Sequence, residues 1–320
     1  MFKVVTIGEA VVQFSPFIDD SGEPCFKQGL GGAPANVAVQ ASILGAETFF
    51  IGKSGDDSFG HFIKDSLIRY NVDTKGLLLD KQNATSIMFS ELDEKNKKCC
   101  KYYNIQGAEA NLKYEDVNLS IIDSCDIFYF GSFSLINETS RIAVTKALAY
   151  SKEKRKTITY DPNYRASLWS SEKEAVSVMK SVLDKIDIIK VSEEELKILT
   201  GCDKFVQGIA DLLKTGIRVV IVTQGPKGCI VASRSGIQTL RTYKVDSIDK
   251  SGAGDSFFGA FIYKLAQSNK HILDVTLEEL LEFSDFANAC GALSSTKKGT
   301  ISAMPNKEAI EDCVSSCEKL

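Results

Sequence analysis

Between residues 4 and 223, short β-branched runs alternate with amphipathic segments, and this rhythm restricts the fold more than any other feature of the chain. The runs are VVTIG (4–8), TFFIG (48–52), DIFYFG (126–131), KTITYD (156–161), DIIKV (187–191) and RVVIVT (218–223). Between them, apolar residues return at helical spacing over 35–44, 59–70, 138–151 and 206–215. Such alternation predicts a mostly parallel, doubly wound sheet with helices on both faces, whose ligands bind at the carboxyl ends of the strands.

Two stretches break the rhythm. Residues 11–32 read as strand, turn and strand, and so do residues 85–104, with the charged DEKNKK as their turn. Hairpins without helices do not join a doubly wound sheet easily. They are expected to form a small separate β layer that covers a site as a lid, all within one folded unit spanning 1–320; decoration facing solvent is the simpler alternative. The end of the chain reads as helices over 252–267, 277–295 and 305–318, the last opening with a proline near its first turn.

Composition removes several function classes. A net charge of −4 argues against a broad nucleic-acid surface. Only two histidines are present, which leaves little for a His-based metal centre or a His general base. Nine cysteines without a CxxC pair read as reduced thiols. No run approaches the roughly 20 apolar residues of a membrane span, and the opening MFKVVTIGEAVVQF lacks a leader pattern. A soluble, cytoplasmic protein is expected.

The segment DKSGAGDSFFGAF (249–261) carries the chemistry. Gly252 and Gly254 permit unusual backbone angles and close approach of a ligand, and an apolar helix follows at once. Unpaired N–H groups of a first helical turn, with the macrodipole behind them, suit a phosphate or a developing anion. Asp255 beside that point could take a proton from an attacking hydroxyl. Against this stands an ordinary reading, in which an Asp in a first turn gains about 0.3–1 kcal/mol from the dipole alone and Gly-Ala-Gly is tight packing. Neither GxxxxGK[ST] nor a GxGxxG after the first strand is present.

The segment resembles the C-terminal signature of the ribokinase-like (pfkB) carbohydrate kinases, DTxGAGD before a helix. The resemblance implies a ribokinase-like fold, with Asp255 as catalytic base and Gly252, Ala253 and Gly254 as anion hole. Asp249 matches an acid that in many relatives helps hold a monovalent cation such as K+, although Lys250 stands where the family has Thr. GLGGAPANVAVQASILGA (29–46) is similar to the N-terminal signature, with Gly31 and Gly32 as a flexible turn and Asn36 offering groups to sugar hydroxyls; FIGKSGDDSFG (50–60) continues it. DPNYRASLW (161–169) and FYFGSFSL (128–135) look like fructokinase segments, which implies Asn163 near the phosphates and Arg165 as an anion partner.

KVSEEEL (190–196) matches the family's NxxE position. Lys190 and Ser192 are then expected on the nucleotide side, and Glu195 is expected to organise Mg2+ through water, while Ser-x-x-Glu is equally a capping box. VTQGPKG (222–228) implies Thr223 and Gly225 near ATP, with an ordinary turn between strands as the alternative. FANACGALSSTKKGTISAMP (286–305) implies Asn288 and Gly299 near adenine.

The resemblance implies an ATP- and Mg2+-dependent kinase acting on a primary hydroxyl, leaning to D-fructose and fructose 6-phosphate. Two positions depart from fructokinases. Gln13 replaces a sugar-binding acid, losing a charge-assisted bond of about 1.5–3 kcal/mol, and Asn104 stands where Arg is frequent. A 2-keto-3-deoxygluconate kinase is the nearest alternative, and a catalytically silent relative acting as an interaction module is the alternative of another class. Apolar Ile87, Phe89 and Leu92 on the hairpins suggest a homodimer through the lid.

Overall fold

The computed structural model describes residues 1–92 and 98–320. Its strands are β1 (Val4–Ile7), β2 (Val11–Ile18), β3 (Pro24–Gly31), β4 (Thr48–Gly55), β5 (Val72–Asp80), β6 (Ile87–Leu92), β7 (Lys98–Tyr103), β8 (Ile127–Gly131), β9 (Thr157–Asp161), β10 (Ile188–Ser192), β11 (Val219–Thr223), β12 (Cys229–Ser233) and β13 (Gly236–Leu240). Its helices are α1 (Ala33–Ile43), α2 (Ser58–Arg69), α3 (Leu119–Ser124), α4 (Glu138–Glu153), α5 (Glu172–Lys180), α6 (Glu193–Thr200), α7 (Phe205–Lys214), α8 (Ala253–Ser268), α9 (Leu277–Ser294) and α10 (Lys307–Ser316).

A nine-stranded sheet runs β13-β12-β11-β10-β9-β8-β1-β4-β5, parallel except for the antiparallel edge formed by β12 and β13. The predicted strands and helices all form. The chain leaves β1 for β4 and β5 on one side, then crosses to β8 on the other, so β1 marks the switch point, the place at whose carboxyl ends open α/β sheets bind their ligands. Three elements escaped the alternation. β5 is interrupted by Gly76, where a Cβ would sit 2.7 Å from Phe50 O, and the β12–β13 hairpin closes the sheet edge without a helix.

Period-two alternation sorts the strand residues between two cores. Phe128, Phe130, Ile158, Tyr160, Ile189 and Val191 pack toward α4, α5, α6 and α7. Ile127, Tyr129, Ile188 and Ile221 pack toward α8 and α9 through Phe257, Phe258 and Ala287. Asp161 and Lys190 share the parity of the second set, which places both under the start of α8.

The two hairpins form one four-stranded sheet, β3-β2-β6-β7, separate from the large one. Each hairpin is antiparallel, and they join through parallel pairing of β2 with β6, in which Gln13 lies opposite Met88. The expected DEKNKK turn lies outside the described residues except for Lys98, which opens β7. Asp57 ties this sheet to the body: its side chain caps α2 at Phe59 N and Gly60 N and also accepts from Thr85 N at 2.9 Å. One expected detail changes at α10. Asn306 caps that helix, accepting from Ala309 N at 3.0 Å, and Pro305 precedes the cap, where its carbonyl receives Gln40 Nε2. Among the described residues no helix is long and apolar enough to cross a membrane.

Candidate active site

The Gly-Ala-Gly segment opens α8 in a way that only part of the sequence argument foresaw. Gly252 is the residue before the helix, with φ of 75°, and no side chain caps the turn, which leaves first-turn N–H groups for a ligand. A Cβ there would lie 2.5 Å from Thr300 Cγ2, so the turn needs glycine on two counts. Gly254 is already helical and its angles are not unusual. It must be small because a Cβ would stand 3.1 Å from Lys190 Nζ. Ala253 lies between them as the first helical residue. Asp249 staples the approach, accepting from Ser251 N and from Gly299 N at 3.0 Å each.

Asp255 sits half-buried in the first turn of α8 and accepts a 2.8 Å hydrogen bond from Asn36 Nδ2 in α1. Burial raises its pKa above the usual carboxylate range, while the Asn36 bond, the Lys190 ammonium and the Arg165 guanidinium pull it back. Lys190 is buried and pairs with Asp161 Oδ2 at 2.6 Å. Burial lifts Asp161 and the ammonium lowers it again; in the same contact burial depresses Lys190 and Asp161 more than restores it. Lys190, expected on the nucleotide side, lies beneath Gly254, a fixed positive charge under the cradle.

Other expected residues meet at the strand ends. Asn163 takes φ of 43° and donates its N–H to Asp161 Oδ1 at 3.0 Å, an Asx turn after β9. Arg165 is exposed, donates to Tyr164 O and acts electrostatically on both Asp255 and Tyr102 of β7. Glu195 and Ser192 form the capping box of α6, and Glu195 Oε1 also accepts from Tyr164 N at 2.7 Å, fastening the β9 loop to the β10 loop. Thr223 is the register partner of Ser192, and Gly225 begins the short turn into β12.

The remaining expected residues have these surroundings. Asn36 is buried and gives one amide hydrogen to Asp255, which orients the acid, while its Oδ1 has no partner among the described residues and stays open for the sugar contact expected of it. Gly31 and Gly32 are not a flexible turn: Gly31 ends β3, and Gly32, at φ of 101°, lies so close to Glu9 that a Cβ would come within 2.5 Å of its carbonyl oxygen. Asn288 is buried in α9 and donates to Cys229 Sγ, facing the sheet. Gly299 is held at Asp249, beside the cradle. Asn104 takes φ of 56° at an exposed turn, a conformation Asn tolerates better than Arg.

Sequence reasoning missed a pair of carboxyls. Glu9 and Glu109, each 5% exposed, line a narrow cavity with Phe133, Ser134, Asn137 and Ser140. Glu9 Oε1 accepts from Ala33 N at 3.0 Å and so caps α1 from a distance, and Glu109 receives the Ser86 hydroxyl. Their second oxygens have no partner among the described residues. Burial pushes Glu9 up to about 8 and Glu109 to about 7. For Glu9 the signal was in VVTIGE, where a lone acid follows a glycine at the end of an apolar run; Glu109, in NIQGAEANL, carries no comparable local mark.

Among the described residues no three His, Cys, Asp or Glu side chains gather to hold a metal ion. The donor set fits a divalent cation carried on phosphates and reached through water by Glu195, whose oxygens accept one bond each and keep lone pairs free; Asp161 is fully buried behind it.

Charged side chains gathered at the strand ends of a doubly wound sheet, with a hydrogen-bonded acid beside an uncapped helix start, are the equipment of a phosphoryl-transfer enzyme. The chain belongs to the pfkB family carbohydrate kinases, whose profile matches residues 1–307. It is 37% identical over 313 residues to a protein named probable fructokinase-4 of Arabidopsis thaliana, covering 96% of this chain and 95% of that one. Among solved structures, a double-mutant fructokinase of Vibrio cholerae O395 in its fructose, ADP and potassium ion bound form superposes with a TM-score of 0.88 at 31% identity, covering 98% of each chain. A fructokinase of Xylella fastidiosa with bound ATP gives 0.91 at 25% identity, over 98% of this chain and 99% of that one.

Proposed function

We propose that this protein is an ATP-dependent fructokinase that transfers the γ-phosphoryl group to the primary hydroxyl of D-fructose, giving fructose 6-phosphate. The observation that carries the reading is Asp255, fixed by Asn36 at the opening of α8. The names and bound molecules of the relatives favour fructose and ATP among sugars and donors. Asp255 accepts the hydroxyl proton as the oxygen attacks phosphorus, and the first-turn N–H groups, with Lys190 beneath them, stabilise charge on the phosphoryl oxygens. The nucleotide lies along the ends of β10 and β11 near Ser192, Thr223 and Gly225. Arg165 reaches between the four-stranded sheet and Asp255 toward the transferring group.

Asn163 and Glu195 would hold the water shell of a Mg2+ ion brought in with ATP, with Asp161 behind them fixing the Asn163 N–H, and the ion would neutralise phosphate charge. A K+ ion near Asp249 is part of this reading, supported by the potassium ion in the Vibrio relative. The four-stranded sheet serves as a lid over the sugar that removes competing water. The sheet face turned away from Gln13 carries Phe14, Phe26, Phe89 and Tyr103 in ring contact. On this face Phe14 and Ile87 pack into the body, Phe14 against Phe59 of α2, while Phe26, 52% exposed, and Tyr103 leave an apolar patch suited to homodimer formation. The side chain of Leu92 lies outside what is described. Among the described residues Cys125, Cys229, Cys290 and Cys313 are buried thiols, which suits a reducing cytoplasm.

The test is ADP release with Mg-ATP against D-fructose, 2-keto-3-deoxygluconate, ribose, adenosine and glucose. Fructose should be preferred, and Asp255→Asn should lower turnover by about 10²–10⁴-fold with ATP affinity kept. Near-parental turnover in that variant would remove Asp255 as the base. Preference for another acceptor would move the substrate.

A further inference from the structure

Gln13 stands where the family resemblance calls for a sugar-binding acid, yet its side chain is committed elsewhere. Its Nε2 donates to Ser90 Oγ of β6 at 3.0 Å and to Ser15 Oγ at 3.2 Å, which uses both amide hydrogens. Its Oε1 accepts from Thr300 Oγ1 at 3.3 Å and is crowded by Gly31, where a Cβ would lie 3.3 Å from that oxygen. The residue is 7% exposed. No donor remains for a sugar hydroxyl, and one acceptor position remains on an atom already pinned.

The far end of this contact lies at the catalytic helix. Thr300 belongs to the turn whose Gly299 N–H is held by Asp249, and its methyl lies flat against Gly252, close enough to forbid a Cβ there. A continuous set of contacts therefore runs from Ser90 and Gln13 in the four-stranded sheet, through Thr300, to Gly252 and the opening of α8. The sheet and the cradle share one fastening point.

We infer that Gln13 is a positioning residue: it latches the four-stranded sheet to the Thr300 turn, so that the cover over the sugar and the Gly252–Asp255 helix start are set in place together. The inference rests on the kinase reading and replaces the direct sugar contact expected at this position. Its chemical consequence concerns water. When the cover and cradle are fixed jointly, the phosphoryl group meets an ordered acceptor only after water is excluded. When they are unlinked, the cradle forms while water still has access.

The experiment measures ADP released and fructose phosphate formed in the same reaction, with KM for fructose and thermal midpoint, for Gln13→Leu, Thr300→Val and the double variant. Parental turnover on fructose tests the kinase reading independently of the latch. The latch predicts that each single variant raises ADP released per fructose phosphorylated by about three- to tenfold, the range of one lost hydrogen bond, and that the double variant is no worse than the poorer single. If Gln13→Leu raises KM for fructose while Thr300→Val is silent, Gln13 touches the sugar and the inference fails. It fails equally if the ratio is unchanged in both, or if the two effects multiply. Should Gln13→Leu not fold, Ser90→Ala takes its place in the cycle and is read by the same criteria.

Discussion

Asn36 Nδ2 lies 2.8 Å from Asp255 Oδ2, joining two short motifs 219 residues apart in the chain. The bond favours the ionised carboxylate, which is the form that can accept a proton, against a burial that favours the neutral form. Asn36→Ala should therefore raise the pKa of Asp255, move the acid limb of the pH–kcat/KM profile to higher pH, and lower activity at neutral pH by roughly ten- to a hundredfold, the scale of one hydrogen bond to a charged group. A profile that keeps its position would show that Asn36 does not set the ionisation of Asp255.

The ion pair of Lys190 and Asp161 makes a stability prediction. Lys190→Met leaves a buried carboxylate without its cation, and removing one partner of such a pair costs about 3–5 kcal/mol. Adding Asp161→Asn to that variant should recover most of the loss, since no uncompensated charge then remains. Urea unfolding of the two variants and the parent decides it; equal stability of the single and double variants would contradict the account.

Gly252 combines a left-handed backbone with a steric limit, and the two can be separated. Gly252→Ala meets both the strain, about 1–3 kcal/mol, and the Thr300 methyl. Gly201, at φ of 71°, ends α6 with nothing within 4 Å of its would-be Cβ, so Gly201→Ala carries strain alone. Both variants should lose comparable stability from strain, with an additional loss at Gly252. Only Gly252→Ala should lower kcat, by roughly tenfold or more, because only there does the cradle move. Equal kcat in the two would detach the cradle from catalysis.

What was legible in the sequence was local. The alternation of strands and helices, the helix opening at Gly252 and the capping box of Ser192 and Glu195 depend on residues a few positions apart, where spacing carries the physics. Partnerships of side chains remote in sequence were not legible. Asn36 reads as a sugar contact because its amide lies near a glycine-rich turn, and the resemblance puts Gln13 at a sugar-binding position. The partners the structure gives them, Asp255 and Thr300, lie 219 and 287 residues away. The parallel junction of β2 with β6, which turns two hairpins into one sheet, is likewise a pairing between segments that no local pattern encodes. Lys190 shows the intermediate case: its parity in β10 places it under α8, but only the register of β9 brings Asp161 to meet it.

The buried acids Glu9 and Glu109 give the last prediction, on stability against pH. Each is held above its ordinary value of 4.5, Glu9 at about 8 and Glu109 at about 7, chiefly by burial and in Glu9 also by the nearby charges of Asp255 and Glu109. The folded state therefore binds more protons than the unfolded chain between pH 4.5 and these values. The stability tied to the two groups is whole below about pH 4.5 and is lost as pH rises, through about 7 for Glu109 and about 8 for Glu9. Asp57, Asp80 and Glu279 act in the opposite sense, since their lowered values make stability fall in acid. Glu9→Gln keeps an oxygen for Ala33 N and Glu109→Gln keeps one for Ser86, while both remove the ionisation. Thermal melts from pH 5 to pH 9 should show the parent losing stability across the upper half of that range and each variant losing less, with the double variant flattest. A parent curve that stays level above pH 6, or variants that follow the parent, would mean that these carboxyls ionise normally in the folded protein.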